Sequence, residues 1–213
     1  MLEWIHENGG LVNSLTSIGT LLIWLFYAQL LYLGFSRQRR PRVLINKGVG
    51  NEFIDSPCLV CNMSQESVYV LFVMVRLKTN KGLLTAPMTD ITPGPSEEKP
   101  GLWERTRQGP LHSGQCMEFV SFREMIATIA EREGIETDNG YPCDTDIELE
   151  WLEINVVSIY SSDDKAFGAV RKFRVHINDE TRRVELQPTS LDTSRKKSWR
   201  YRRLVKRWLR AYQ

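Results

Sequence analysis

Between Leu11 and Phe35 the chain runs for 25 residues without a charged side chain. At about 1.5 Å per residue, a helix of that length reaches about 37 Å, more than the roughly 30 Å hydrocarbon core of a bilayer. Its centre, Leu21-Leu22-Ile23-Trp24-Leu25-Phe26, is apolar all round, whereas a helix on the surface of a soluble domain keeps one polar face. The segment predicts a single transmembrane helix over 11–35, and the rest of the chain has to be arranged around it. A cleavable secretory signal starts with positive charge and ends at small residues. Here Glu3, His6 and Glu7 precede the segment, and Leu33-Gly34-Phe35-Ser36 runs straight into arginines, so the flanks predict an uncleaved anchor.

The same arginines set the expected orientation. Arg37, Arg39, Arg40 and Arg42 fall just after the apolar run, and no lysine or arginine precedes it. The positive-inside rule then places residues 1–10 outside and everything beyond the basic juxtamembrane segment 36–42 in the cytoplasm. A bacterial inner membrane is the expected location, with Trp4 and Tyr32 as interfacial anchors. In that compartment the four cysteines are expected to be reduced thiols.

The overall charge of +2 conceals a strong asymmetry. Thirteen of the 28 basic residues lie in 37–42 and in 195–210, which leaves 15 against 26 acidic residues in the rest of the chain. Two cationic flanks on an acidic body point to anionic surfaces as their partners, lipid headgroups or nucleic acid. The anionic inner leaflet is the expected partner of Arg37, Arg39, Arg40 and Arg42.

The apolar run carries one polar stripe. Asn13, Thr16, Ser17, Thr20, Trp24, Tyr27 and Gly34 recur mostly at spacings of three, four or seven, which draws a line along one helix face. Small and hydroxyl residues on one face commonly mediate helix packing in lipid. The bland reading is modest dimer packing or simple tolerance. The sharper one is a homo-oligomer in which Asn13, Thr16, Ser17, Thr20 and Tyr27 line a contact or a narrow pore.

From Val43 the text changes to strand grammar. Short apolar runs at 43–46 and 58–62 precede Val68–Lys78, apolar on both faces and so expected at the centre of a sheet. Thr79-Asn80-Lys81-Gly82 turns the chain back into 83–88 as a hairpin. A Pro/Gly-rich loop over 91–110, in which Trp103 covers a core edge, leads to a strand at 115–120. Ser121-Phe122-Arg123-Glu124 has the form of a capping box, predicting a helix of about twelve residues that ends at Gly134. In 147–160 the inward face switches between Leu149 and Leu152, as a β-bulge near Trp151 would produce. Phe167, Ala169, Phe173, Val175 and Ile177 face inward from the next strand, and Val184 with Leu186 completes the sheet.

Seven or eight antiparallel strands over 43–190 with one inserted helix predict an immunoglobulin-like β-sandwich, with a small β-barrel as the alternative. The Asn62-Met63-Ser64 turn before a long apolar strand resembles the second-to-third strand corner of immunoglobulin-like modules. The last segment, 191–213, is expected to be a basic amphipathic helix. Tyr201, Leu204, Val205, Trp208 and Tyr212 form its apolar stripe, and Trp199, Arg202, Arg203, Lys206, Arg207 and Trp208 are its expected contacts with membrane or partner. Packing on the acidic body is the competing reading, and nucleic acid a weaker one.

No catalytic motif emerges. Cys58-x-x-Cys61 lies in a strand, where a spacing of three puts the two thiols on opposite faces, away from the helix N-terminus that a thioredoxin-like site needs. A zinc site needs a second ligand pair, which Cys116 and Cys143 do not form. His6, His112 and His176 are scattered, and no Gly-rich phosphate loop or nucleophile elbow accompanies them. No cofactor and no metal are expected. The expectation is a membrane-anchored, non-catalytic binding or adaptor protein. The alternative is a homo-oligomeric pore or membrane effector gated by the β domain, a layout that bacterial effectors of stress and antiviral systems share.

Overall fold

The computed structural model describes residues 9–38, 40–48, 54–88, 106, 108–138, 140–144, 146–161, 163–178 and 183–212. Trp4, Arg39, Trp103 and most of the 91–110 loop lie outside them, as does the side chain of Arg37. The chain divides into two units, residues 1–40 and 41–213.

The first unit is one helix, α1 (Gly9–Gln38), of 30 residues. Its apolar window is unburied, and Leu21 through Tyr27 are all exposed. The stripe is less polar than its sequence implies. Thr16 Oγ1 donates to the Val12 carbonyl at 2.8 Å, Thr20 Oγ1 to the Thr16 carbonyl at 2.8 Å, and Ser14 Oγ to the Gly10 carbonyl at 2.9 Å. These hydroxyls are satisfied by their own helix, as threonine and serine in helix interiors often are.

The second unit is mainly β. Its principal strands are β1 (Val43–Lys47), β2 (Pro57–Asn62), β3 (Val68–Thr79), β4 (Gly82–Pro87), β6 (Cys116–Ser121), β9 (Leu149–Tyr160), β10 (Asp163–Asn178) and β11 (Arg183–Pro188). Shorter pieces are β5 (Gly109–Leu111), the hairpin β7 (Thr137–Asp138) and β8 (Tyr141–Pro142), and β12 (Ser194–Lys196). Two helices, α2 (Phe122–Arg132) and α3 (Trp199–Tyr212), complete the unit. One sheet has the order β1-β2-β6; the other runs β11-β10-β9-β3-β4, with β12 on β10 and β5 on β3. All described pairings are antiparallel and neither sheet closes into a barrel.

Between the sheets lies a core to which Ile45 and Val60 contribute from one side and Val73, Val75, Ile154 and Phe173 from the other. α2 plugs one end of it with Phe122, Met125, Ile126 and Ile129. Ser121 Oγ accepts from the Glu124 amide at 3.2 Å, as the capping box predicts. Gly134, with φ of +69°, follows the end of the helix in the left-handed conformation that glycine adopts without strain. The Phe122 and Phe173 rings pack edge to face with their centroids 4.9 Å apart.

The predicted bulge is present. Thr79 faces Leu149 while Lys78 faces Trp151, so Glu150 is the extra residue. This returns Leu149 and Leu152 to the same core. A second shift, with Val70 opposite Ser158 and Phe72 opposite Val157, leaves Leu71 as the extra residue on β3. β3 is central, as its two apolar faces predict: β9 flanks it on one side and β4 and β5 on the other.

Two expectations need correction. Cys61 and Cys116 are not separate thiols: they face each other across β2 and β6, Cα atoms 4.0 Å apart, joined as a disulfide. A separation of 55 residues in sequence hid a pairing that only the strand order reveals. The basic segment is also not helical from its start. Ser194–Lys196 pairs with Val170–Gly168 along the part of β10 that β11 leaves open, since β11 reaches only Phe173. The helix begins after Ser198, whose hydroxyl accepts from the Tyr201 amide at 3.2 Å.

Candidate interaction surface

α3 lies on the outer face of the larger sheet. Tyr201, Val205 and Trp208 form a second, smaller core with Phe72, Met74, Val157 and Val170, joined at its margin by Leu204 and Leu209. Where these strands cross under the helix, they carry apolar residues on both faces, and that second face is what the helix covers. Gly168 makes the closest approach possible: a Cβ there would overlap the Tyr201 ring. The ends of the helix are tied to backbone. Arg202 Nε donates to the Ala166 carbonyl at 3.2 Å and Tyr212 Oη to the Thr85 carbonyl at 3.0 Å. Burial pushes the Tyr201 phenol above its ordinary pKa, with a smaller contribution from Glu153. Its hydroxyl finds no hydrogen-bond partner among the described residues.

Docking on the sheet sorts the expected tail contacts. Trp208 is only 8% exposed and faces the sheet, and Arg202 is half-buried, so neither presents itself outward. Arg203, Lys206 and Arg207 are exposed, and Trp199 is 69% exposed with the Arg203 guanidinium 5.4 Å from its ring centre. Tyr201, Val205 and Trp208 of the stripe that would dip into a bilayer are therefore occupied, and what remains outward is charge with Trp199 and Tyr212.

The rest of the outer sheet face is charged and self-paired. Arg76 binds Glu153 at 2.8 Å, Glu153 also accepts from Asn155 at 3.0 Å, and Lys172 Nζ stands 3.7 Å from the centre of the Trp151 ring.

On the edge of the sandwich Arg171 takes an inward position in β10 and is 5% exposed. Its guanidinium donates to the carbonyls of Ile45, Ser190 and Leu191 and to Asn46 Oδ1. Burial lowers its pKa, opposed by Asp192. Strand alternation alone puts residue 171 on the inner face with Ala169 and Phe173, so the sequence does carry a signal for it. Beside it, burial pushes the Cys58 thiol up to about 12, against the pull of Arg171. Cys58 is thus a neutral thiol rather than a nucleophile.

The juxtamembrane and tail arginines come together. Arg42 forms an exposed ion pair with Asp192 at 3.0 Å, and Arg195 Nη1 reaches the Pro41 carbonyl at 3.4 Å. Arg40 is exposed. On α1, Asn13, Ser17 and Tyr27 are exposed, as are Thr16 and Thr20 with their hydroxyls turned to the helix backbone.

Ser67 Oγ lies 3.1 Å from His112 Nδ1 on exposed turns. A nucleophile pair also needs a group that orients the ring and donors for an oxyanion. No carboxylate is bonded to His112 among the described residues, whose backbone N–H is instead held by Gln115 Oε1. No three His, Cys, Asp or Glu side chains gather as a metal site among the described residues. No family model, curated protein or solved structure matches the chain.

Proposed function

We propose that this protein is a membrane-anchored recognition module: α1 spans a bacterial inner membrane, uncleaved, and holds a non-catalytic β-sandwich in the cytoplasm. The observation that carries the reading is the contrast of burial. The apolar window of α1 is wholly unburied, while the domain after it has a complete core of its own and no use for that helix. An unburied apolar helix of 30 residues is stable in lipid and a liability in water.

An immunoglobulin-like topology is supported by strand order. Taking β1, β2, β3, β4, β6, β9 and β10 as A, B, C, C′, E, F and G gives A-B-E in one sheet and C′-C-F-G in the other. The disulfide joins B to E within one sheet, where antibody domains join B to F across two. Modules of this build recognise partners through exposed faces and turns, and here the outward cations of α3 and β12 favour an anionic one.

Cytoplasmic placement rests on the arginine cluster. In that compartment the cellular reductants would open the Cys61–Cys116 disulfide to a dithiol. The pore alternative gains no support from the stripe, because the Thr16 and Thr20 hydroxyls are satisfied within their own helix.

Topology and redox state are read in one experiment. In acid-quenched cells a cytoplasmic domain yields four alkylatable cysteines. A domain outside yields two, Cys58 and Cys143, once the chain is denatured. Alkaline carbonate should leave the full chain in the membrane pellet with Met1 retained; release, or a chain starting beyond Ser36, overturns the anchor. Light scattering in detergent should give a small assembly, and a large ring would restore the pore.

A further inference from the structure

The two cationic segments, some 150 residues apart in sequence, meet at one place on the domain. Arg195 is bonded to the Pro41 carbonyl, and Arg42 is paired with Asp192. β12 then carries Arg195 and Lys196 along the edge of β10, both exposed, followed by exposed Lys197.

Apolar side chains stand outward among these cations. Leu191, 100% exposed, immediately precedes Asp192. Met63, 58% exposed, has its amide bonded to the Arg42 carbonyl at 2.8 Å. Trp199, 69% exposed, follows three residues after β12 with Arg203 over its ring. Among the described residues outside α1, three of the six large exposed apolar side chains are thus in this rim. A soluble surface scatters such residues singly; a tryptophan and aliphatics set among lysines and arginines are the composition of a bilayer interface. The rim also contains Pro41, the first residue of the domain, which follows α1 by two residues in sequence.

We infer that this rim, formed by Arg42, Met63, Leu191, Arg195, Lys196 and Trp199, is a docking surface for anionic phospholipid headgroups that lays the domain against the leaflet. The inference rests on α1 being a membrane anchor. It assigns lipid contact to the rim and to the exposed charges of α3, because the apolar stripe of α3 is already buried on the sheet.

The test uses the full chain reconstituted in vesicles, with Leu191→dansylalanine as an environment-sensitive probe and Leu83→dansylalanine, on the far hairpin, as control. With about one quarter phosphatidylglycerol in phosphatidylcholine, emission from position 191 should shift to the blue relative to phosphatidylcholine alone, and emission from position 83 should not. About 1 M salt, which shortens the screening length to about 3 Å, should reverse the shift. Each cation near an anionic leaflet changes the docked-to-undocked ratio by about fivefold, so Arg195→Glu, Lys196→Glu and Lys197→Glu together should lower it by about a hundredfold or more.

Flotation with both vesicles but identical emission from position 191 overturns the inference and leaves the anchor intact. Failure to float with phosphatidylcholine removes the anchor, and the inference with it. A shift on adding a single-stranded oligonucleotide to phosphatidylcholine vesicles, with none on adding phosphatidylglycerol, would reassign the rim to nucleic acid.

Discussion

α1 and α3 solve opposite problems with aromatic-rich helices. α1 is uncharged from Leu11 to Phe35 and its apolar window is unburied, so, as proposed, its solvent is the bilayer. α3 confines its apolar residues to a stripe and finds its apolar solvent inside the domain, on the outer face of β3, β9 and β10. Tryptophan marks both, yet Trp24 is 70% exposed and Trp208 8%. What separates them is the distribution of charge: none in α1 between Leu11 and Phe35, and arginine or lysine on every turn of α3. A tryptophan in a helix therefore says little about membranes until the rest of the helix's circumference has been read.

The contrast can be broken most forcefully at the tryptophans. Trp208→Ala should cost the domain about 3 kcal/mol or more, because it empties the small core under α3. Trp24→Ala should leave the denaturation midpoint of the domain unchanged. Chemical denaturation in mild detergent measures both, and equal losses would mean that α1 packs on the domain.

The glycines give the next largest difference. Gly168→Ala drives a methyl group into the Tyr201 ring and should cost about 1–3 kcal/mol, with faster proteolysis of α3. Gly19→Ala has nothing within 4 Å to meet and should be silent by the same measurements.

Alkaline pH should weaken the domain progressively. The folded state holds the Cys58 proton to about 12 and raises the Tyr201 phenol, so both groups stay neutral after the unfolded chain has ionised. The stability they contribute is fully present at neutral pH. It is lost as pH rises, from about 9 for the thiol, at about 1.4 kcal/mol per pH unit for each group. Tyr201→Phe should remove the tyrosine share of the slope and relieve an unpartnered hydroxyl; a slope unchanged by it would show that α3 is undocked in solution.

The smallest effect belongs to the stripe of α1. Asn13→Leu should shift any self-association in detergent by about 0.6 kcal/mol, the usual worth of a polar contact between membrane helices. Thr20→Val, which removes a hydroxyl already bonded to its own helix, should shift it less.

How far the sequence could be read follows from the range of each signal. Alternation within a strand is local, so the eight principal strands and the extra residue beside Trp151 were legible, and so was the Ser121 cap. The Cys61–Cys116 bond and the meeting of Arg195 with Pro41 depend on which strand lies beside which, information spread over 55 and 154 residues. The docking of α3 stands between these cases. The apolar outer face of β3, with Phe72 and Met74, was visible in the sequence and was read as centrality. The same face also required a cover, and the one amphipathic helix with a matching stripe was the tail. Arg171 went unread because an arginine at an inward position looks like an interruption of the pattern rather than a member of it.

Arg171 also ties β1 to the rest of the sandwich. With α1 anchored as proposed, a pull on the domain's partner would enter at Pro41 and pass into β1, an edge strand paired with β2. The guanidinium fastens Ile45 and Asn46 of β1 to β10, and the Thr193 hydroxyl, accepting from the Ile45 amide at 2.9 Å, adds a second tie. Drag on such a tether would be handed across the sandwich to β10, and the two sheets would resist it together.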